Sequence, residues 1–183
     1  MTTNTYSTQN DLLFETLTDF YKNEEYLHKM MRVITGESRI SLRIVDWFTT
    51  NYAKKEFTVF PLENGKRFKV YSDYKLKLKA YSKKRFDPFC RWERINLPYK
   101  QDSYIETTIG QLNFFKWTLE NGVIDYIEKH YTEIEHDMND RNSSTRKKES
   151  AECSKTRKKR EELSISATKS IKKEKVIITM SFN

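Results

Sequence analysis

The segment from Thr108 to Met138, TIGQLNFFKWTLENGVIDYIEKHYTEIEHDM, decides the fold. Thr108 and Gln111 stand at the spacing of a capping box, and Leu112, Phe115 and Leu119 follow at helical intervals. Asn121-Gly122 interrupts the pattern, after which Val123, Ile127, Tyr131, Ile134 and Met138 form one stripe. Two helices around a short Gly-containing turn are therefore predicted, an αα unit. A DNA-reading helix-turn-helix has the same outline. Here, however, the second helix carries Asp125, Glu128, Glu133, Glu135 and Asp137, and phosphates would repel it from a major groove. The unit reads as core or as a partner-binding element.

Upstream, the same periodicity recurs. Asn10 or Asp11 can cap a helix over about 11–22, with Leu13, Phe14, Leu17, Phe20 and Tyr21 on one face. Leu27, Met30, Met31 and Ile34 continue it to Gly36, a natural C-terminal stop. Ser38 opens RISLRIVDWFTTNYAKK, whose Ile40, Ile44, Trp47, Phe48 and Tyr52 make a wide apolar face ending in Lys54 and Lys55, which suit the helix dipole. FTVF and RFKV flank Glu63-Asn64-Gly65 and read as a short hairpin near 57–70, with Pro61 confining its first strand to an edge. In YSDYKLKLKAYSKKRF, Tyr71, Tyr74, Leu78 and Tyr81 favour a helix capped by Ser72 or Asp73 over a strand. Asp87-Pro88 ends it, and the stretch to Pro98 reads as loop.

Downstream of Asn139 the apolar pattern stops in a Ser-, Lys- and Arg-rich composition typical of a solvated tail. KVIITMSFN at the end regains strand character, with Val176, Ile178, Met180 and Phe182 alternating. The expected architecture is mainly α (α+β): a single small helical domain over 10–140 with a minor β-hairpin, a basic flexible linker over 141–175, and a C-terminal strand over 176–183 that docks on a sheet edge, its own or a partner's.

Length and composition agree. The 183 residues suit one core plus tails. Hydrophobic content of 37% is low and charged content of 33% is high, yet 14% aromatic residues let a core form from few large side chains. Four Gly and three Pro exclude glycine-rich phosphate loops. Cys90 and Cys153 lack any CxxC or Cys-His spacing, so neither structural zinc nor a disulfide framework is expected. The N-terminus MTTNTYSTQNDLL lacks a basic leader and an apolar core, and no stretch approaches the ~18 apolar residues of a membrane span; no membrane association is expected.

Charge is the most informative property. The net +8 divides into −2 over residues 1–65, +9 over 66–100, −7 over 101–140 and +8 over 141–183. Two basic blocks point to an anionic partner, unless the acidic and basic blocks merely pair with each other on the surface. Between Lys75 and Arg94 the cations Lys75, Lys77, Lys79, Lys83, Lys84, Arg85, Arg91 and Arg94 interleave with Tyr74, Tyr81, Phe86, Phe89 and Trp92. Cations serve phosphates by counterion release, and exposed rings stack bases; most of these rings read as core, leaving phosphate binding without sequence reading as the firmer expectation. Arg157, Lys158, Lys159 and Arg160, with Arg146-Lys147-Lys148, suit a nonspecific nucleic-acid arm, a nuclear localisation signal or simply a solvating tail.

Catalysis has no support. Neither GxSxG, a Walker-type loop nor GxGxxG occurs, and His28, His130 and His136 show no metal spacing and read as surface residues. No enzyme activity, metal or cofactor is expected.

The runs SLRIVDWFTTNYAKK, YKLKLKAYSKKRFDPFCR, ETTIGQLNFFKWTLENGVIDYI and RKKREELSISATKSI with the closing VIITMSFN resemble a protein family of nucleocytoplasmic large DNA viruses, of the mimivirus and phycodnavirus kind, over about residues 38–183. The resemblance implies a viral product made in the host cytoplasm and acting on viral DNA, transcription or particle assembly, in the virus factory, the virion or the host nucleus. Two functions follow as expectations. One is a non-enzymatic nucleic-acid-binding accessory protein using segments 75–94 and 141–175. The other is a virion structural or assembly protein engaging protein partners through the acidic helix and the terminal strand.

Overall fold

Helix α6, Ile109–Glu120, is the axis on which the rest is assembled. Ile109 through Phe115, with Trp117 and Thr118, are all buried, so this helix lacks an outer polar face and must be covered on every side. Helices α1 (Gln9–Tyr21), α2 (Glu24–Thr35), α5 (Val70–Arg85) and α7 (Val123–Lys129) do the covering. Helix α3 (Leu42–Trp47) runs through a π-helical turn, Phe48–Tyr52, into the short α4 (Ala53–Lys55); the π turn and α4 pack on α5, and α3 and the π turn pack on α8 (Tyr131–Ala151). The structure, a computed structural model, describes residues 8–90, 93–98, 103–151 and 172–175.

Caps fix where the helices begin. Thr8, not Asn10 or Asp11, caps α1, and Asp11 completes a reciprocal capping box with it. Asn23 caps α2, which ends at Gly36 in the left-handed conformation, φ 79°. The cap of α3 is Ser41, whose Oγ accepts the Ile44 amide, while Ser38 instead accepts from Ile40. Thr108 caps α6 as expected, but the Gln111 side chain does not return to it. Gln111 accepts from the Thr107 hydroxyl and donates to the carbonyl of Pro88.

The expected hairpin is present: β1 (Val59–Pro61) and β2 (Arg67–Lys69) pair antiparallel with Phe60 opposite Phe68. The stretch expected to be loop as far as Pro98 is not all loop. Arg94–Pro98 forms β3, which pairs antiparallel with β4, Ser103–Thr108, with Leu97 opposite Ile105. Both of those side chains are buried, which explains why an extended pair is favoured there despite Pro98 at its end. Strand β5, Lys172–Lys175, adds to the other side of β4. Strand β5 falls within the stretch expected as linker, whereas the terminal strand expected over 176–183 lies outside the described residues. Helix α8 reaches Ala151, so the first part of the stretch expected as linker from 141 is helical.

A ring cluster holds α5 to α6. Phe86 lies 5.7 Å from both Phe114 and Trp117, edge-on to each, and Tyr74 packs 6.0 Å from Phe86. Phe86 and Phe114 are fully buried, each contributing about 1.5–3 kcal/mol by leaving water. Trp117 donates its indole N–H to Asp73 at 2.6 Å, and Tyr21 donates to the carbonyl of Leu112 at 2.7 Å. Buried Asn113 donates to the carbonyl of Arg85, and Thr108 to that of Cys90, so the turn between α5 and β3 is stitched to α6 by side chains. Gly110 makes this docking close: a Cβ there would sit 2.9 Å from the Lys84 carbonyl oxygen and 3.0 Å from Cβ of Cys90.

Candidate nucleic-acid interface

Helix α5 buries Val70 and Tyr74 and leaves Lys75, Leu76, Lys79 and Lys83 facing water. Spacing decides this along the unbroken part of the helix: Val70, Tyr74, Leu78 and Tyr81 follow the core, while Lys75 and Lys79, four residues apart, lie on the outside. Of the remaining lysines expected to serve phosphates here, Lys77 is half-buried and Lys84 is exposed. An open groove of about 570 Å³ runs along this surface, lined by Ser72, Lys75, Leu76, Leu78 and Lys79.

The helix breaks near its end. Ser82 has φ 62° and ψ 167°, a backbone region that only glycine adopts freely, so Lys83, Lys84 and Arg85 leave the line of the preceding turns. Arg85 is then committed inward, donating from Nε to Asn10 at 2.7 Å and from Nη1 to Gln9 at 3.0 Å. A polar cavity of about 230 Å³ lies at this junction, between Asn10, Ser82, Lys84, Arg85, Glu93 and Ile109. Arg94 is also committed, to Glu106 across the β3–β4 pair at 3.0 Å. Arg85 and Arg94 thus act as ties between elements. Arg91 lies outside the described residues, as do Arg157, Lys158, Lys159 and Arg160.

The rings interleaved with these cations belong to the core. Tyr74 and Phe86 are buried, and Tyr81 and Phe89 are partly buried against them. Trp92 lies outside the described residues. None of the described rings between 74 and 94 is fully exposed.

The structure adds three cations that the expected set omitted. Lys66, Arg67 and Lys69 are exposed on or beside β2, which leads directly into α5. The signal was the alternation in RFK, where Arg67 and Lys69 flank the buried Phe68 and must point away from the core. Lys66, Arg67, Lys69, Lys75, Lys77, Lys79 and Lys83 have no acidic partner among the described residues, and the one carboxylate of that stretch, Asp73, is held by Trp117.

The acidic helices behave differently. Asp137 accepts from the Trp47 indole at 2.9 Å and from Lys55 at 2.7 Å, tying α8 to α3 and α4. Burial opposes its ionisation, but these two donors outweigh it and leave the carboxyl below its usual value. Glu135 accepts from Tyr131, and Glu133 and Asp140 pair with His130 and His136. His130 is half-buried and stacked on Tyr126, while His136 and His28 are exposed.

Close to Tyr74 of the basic helix lies a half-buried acid. Burial, with the neighbouring Asp87 carboxylate, pushes Asp46 up to about 6. Burial also pushes Tyr74 up to about 12, with Asp46 and Asp87 adding to it. No group of three or more His, Cys, Asp or Glu residues suited to a metal ion occurs among the described residues. Cys90 is buried, its thiol facing the carbonyl of Lys84 at 3.4 Å. No described helix is long and apolar enough to cross a membrane.

Comparison with known proteins places the sequence but assigns no chemistry. A protein of Acanthamoeba polyphaga mimivirus, "Uncharacterized protein L507", is 42% identical over 137 residues, covering 70% of this chain and 53% of the mimivirus protein. The chain thus spans about half the length of that relative. No solved structure matches. The model of a family of unknown function, DUF7197, matches residues 2–183, so this viral protein, mainly helical as its periodicity indicated, belongs to that family.

Proposed function

We propose that this chain is a non-enzymatic nucleic-acid-binding accessory protein of a large DNA virus, gripping phosphates without reading sequence. The observation that carries the reading is the run of seven cations from Lys66 to Lys83 with no acidic partner among the described residues. Gathering like charges on one hairpin and the helix that follows it costs electrostatic energy that an anionic polymer relieves by neutralising them and releasing its counterions. The tail cations, Arg157 to Arg160 among them, extend the same chemistry, and the setting is the host cytoplasm or the particle, where viral nucleic acid resides.

The test is a salt titration of binding to a mixed-sequence duplex. Log affinity is expected to fall linearly with log salt, by about 0.9 for each phosphate neutralised. Binding indifferent to salt, or none at low salt, would overturn the reading. Recovery of a specific protein partner together with absent nucleic-acid binding would favour a structural or assembly role instead.

A further inference from the structure

Phe57 is the most anomalous residue on the surface. It is 84% exposed, whereas every other described phenylalanine is buried or partly buried. Its φ is +49°, the left-handed region that phenylalanine enters only at a cost. The local reason is a helix stop: the Thr58 amide donates to the carbonyl of Ala53 at 3.1 Å, which places Phe57 where a terminating glycine usually sits. Neither burial nor backbone preference accounts for a large ring there. Glycine would terminate the helix better and keep an apolar ring out of water.

The surroundings indicate what the ring meets. Phe57 stands at the open end of the β1–β2 hairpin, beside Thr58, whose carbonyl accepts the Val70 amide. On the solvent side of that hairpin Val59 lies opposite Lys69 and Pro61 opposite Arg67, all four exposed, and Lys66 adjoins them. An exposed ring beside unpartnered cations matches a ligand that is anionic along its backbone and flat at its side groups. Duplex DNA offers the charge but keeps its base faces stacked internally. Single-stranded nucleic acid offers both.

We infer that Phe57 is a base-stacking platform and that the β1–β2 hairpin, through Lys66, Arg67 and Lys69, takes unpaired nucleotides. The inference rests on the phosphate-binding reading above and adds a preference for single strands to it. Duplex binding needs only the cations, whereas single-strand binding gains from the ring.

Full-length wild type, Phe57→Gly and Phe57→Trp would be compared by melting and by titration with oligothymidylate of about 16 nucleotides and a duplex of equal length at one low salt concentration. Phe57→Gly is expected to melt at or above the wild-type temperature, because it relieves the left-handed strain, while losing about tenfold in single-strand affinity and less than twofold in duplex affinity. Phe57→Trp is expected to keep single-strand affinity and to show emission quenched by oligothymidylate beyond any change in wild type. Unchanged single-strand affinity in Phe57→Gly, with duplex binding intact, overturns this inference alone. Equal losses on both ligands also overturn it. Phosphatidylserine vesicle binding that depends on Phe57 while single-strand affinity does not would reassign the ring to a membrane surface. Absence of binding to either nucleic acid by wild type overturns both this inference and the phosphate-binding reading.

Discussion

From Lys66 to Arg85 the chain carries nine cations and one carboxylate; from Val123 to Asp140 it carries six carboxylates and one cation. Both regions are built on the same apolar periodicity, and both lie against the rest of the fold along that stripe. Their charges are spent differently. The acidic region turns its carboxylates inward or along its own surface: Asp137 onto Trp47 and Lys55, Glu135 onto Tyr131, Glu133 onto His130. The basic region ties Arg85 by hydrogen bonds to α1, and seven of its nine cations have no acidic partner among the described residues. Concentrated charge in sequence thus corresponds to cohesion in one place and to an outward-facing field in the other.

The largest expected effect separates the two regions directly. Changing Lys66, Arg67, Lys69, Lys75 and Lys79 together to Gln should lower duplex affinity at low salt by at least ~100-fold and reduce the salt slope by up to about 0.9 per residue replaced. An unchanged slope in the titration would show that these cations do not contact phosphate.

Next in size is Phe86→Ala, within the basic region's own sequence. Loss of a fully buried ring in contact with Phe114 and Trp117 should cost about 3–5 kcal/mol in urea unfolding, an effect on stability and not on nucleic-acid contacts. A cost below ~1 kcal/mol would mean that α5 is not anchored through this cluster.

A smaller effect concerns Asp46. Its carboxyl is raised from 3.8 to about 6 in the folded chain, so folding favours the protonated form. Stability from this group is fully present below about 4 and is lost as the pH rises through about 6, on the order of 2–3 kcal/mol by pH 7. Asp46→Asn should therefore raise the melting temperature at pH 7, leave it nearly unchanged at pH 4, and flatten the profile between. Destabilisation at pH 7 would indicate that the ionised carboxylate is held by a favourable contact.

The smallest expected effect completes the contrast. Glu128, Glu133 and Glu135 changed together to Gln should alter duplex affinity by less than about threefold, the residual gain coming from weakened long-range repulsion. A loss of binding would place the acidic region in the interface and undo the distinction between the two.

The helices were readable where apolar residues recur at the helical period, as in Leu112, Phe115 and Leu119 of α6; the stripe Val123, Ile127, Tyr131, Ile134 and Met138, read as one helix, runs across α7 and α8, which part at His130. The cap positions slipped by a few residues where several Ser, Thr, Asn or Asp side chains competed, as with Thr8 against Asn10 and Ser41 against Ser38. Strands β3 and β4 were obscured because RINLP ends in proline and SYIETT runs straight into a helix cap, so neither stood out as an isolated alternating run. Their pairing depends on Leu97 meeting Ile105 across the ladder, a contact that short-range pattern does not contain. For the candidate interface, the lysines of α5 were legible from composition, while the inward ties of Arg85 and Arg94 were not, since their partners Gln9, Asn10 and Glu106 are distant in sequence or on another strand. The exposure of Phe57 was invisible because ring-rich sequence ordinarily signals core; only the backbone angle and the solvent around the ring single it out.

Gly110 gives the fold a thermal weak point that can be used deliberately. Alanine at that position must displace the Lys84 carbonyl and Cβ of Cys90 to gain room, so α6 and the turn following α5 would meet imperfectly. The chain would still carry every charge and every ring, yet the joint that aligns the basic helix on its axis would loosen on warming. Gly110→Ala is accordingly the substitution from which a heat-sensitive allele is expected, in which the fold is lost by raising the temperature and recovered by lowering it.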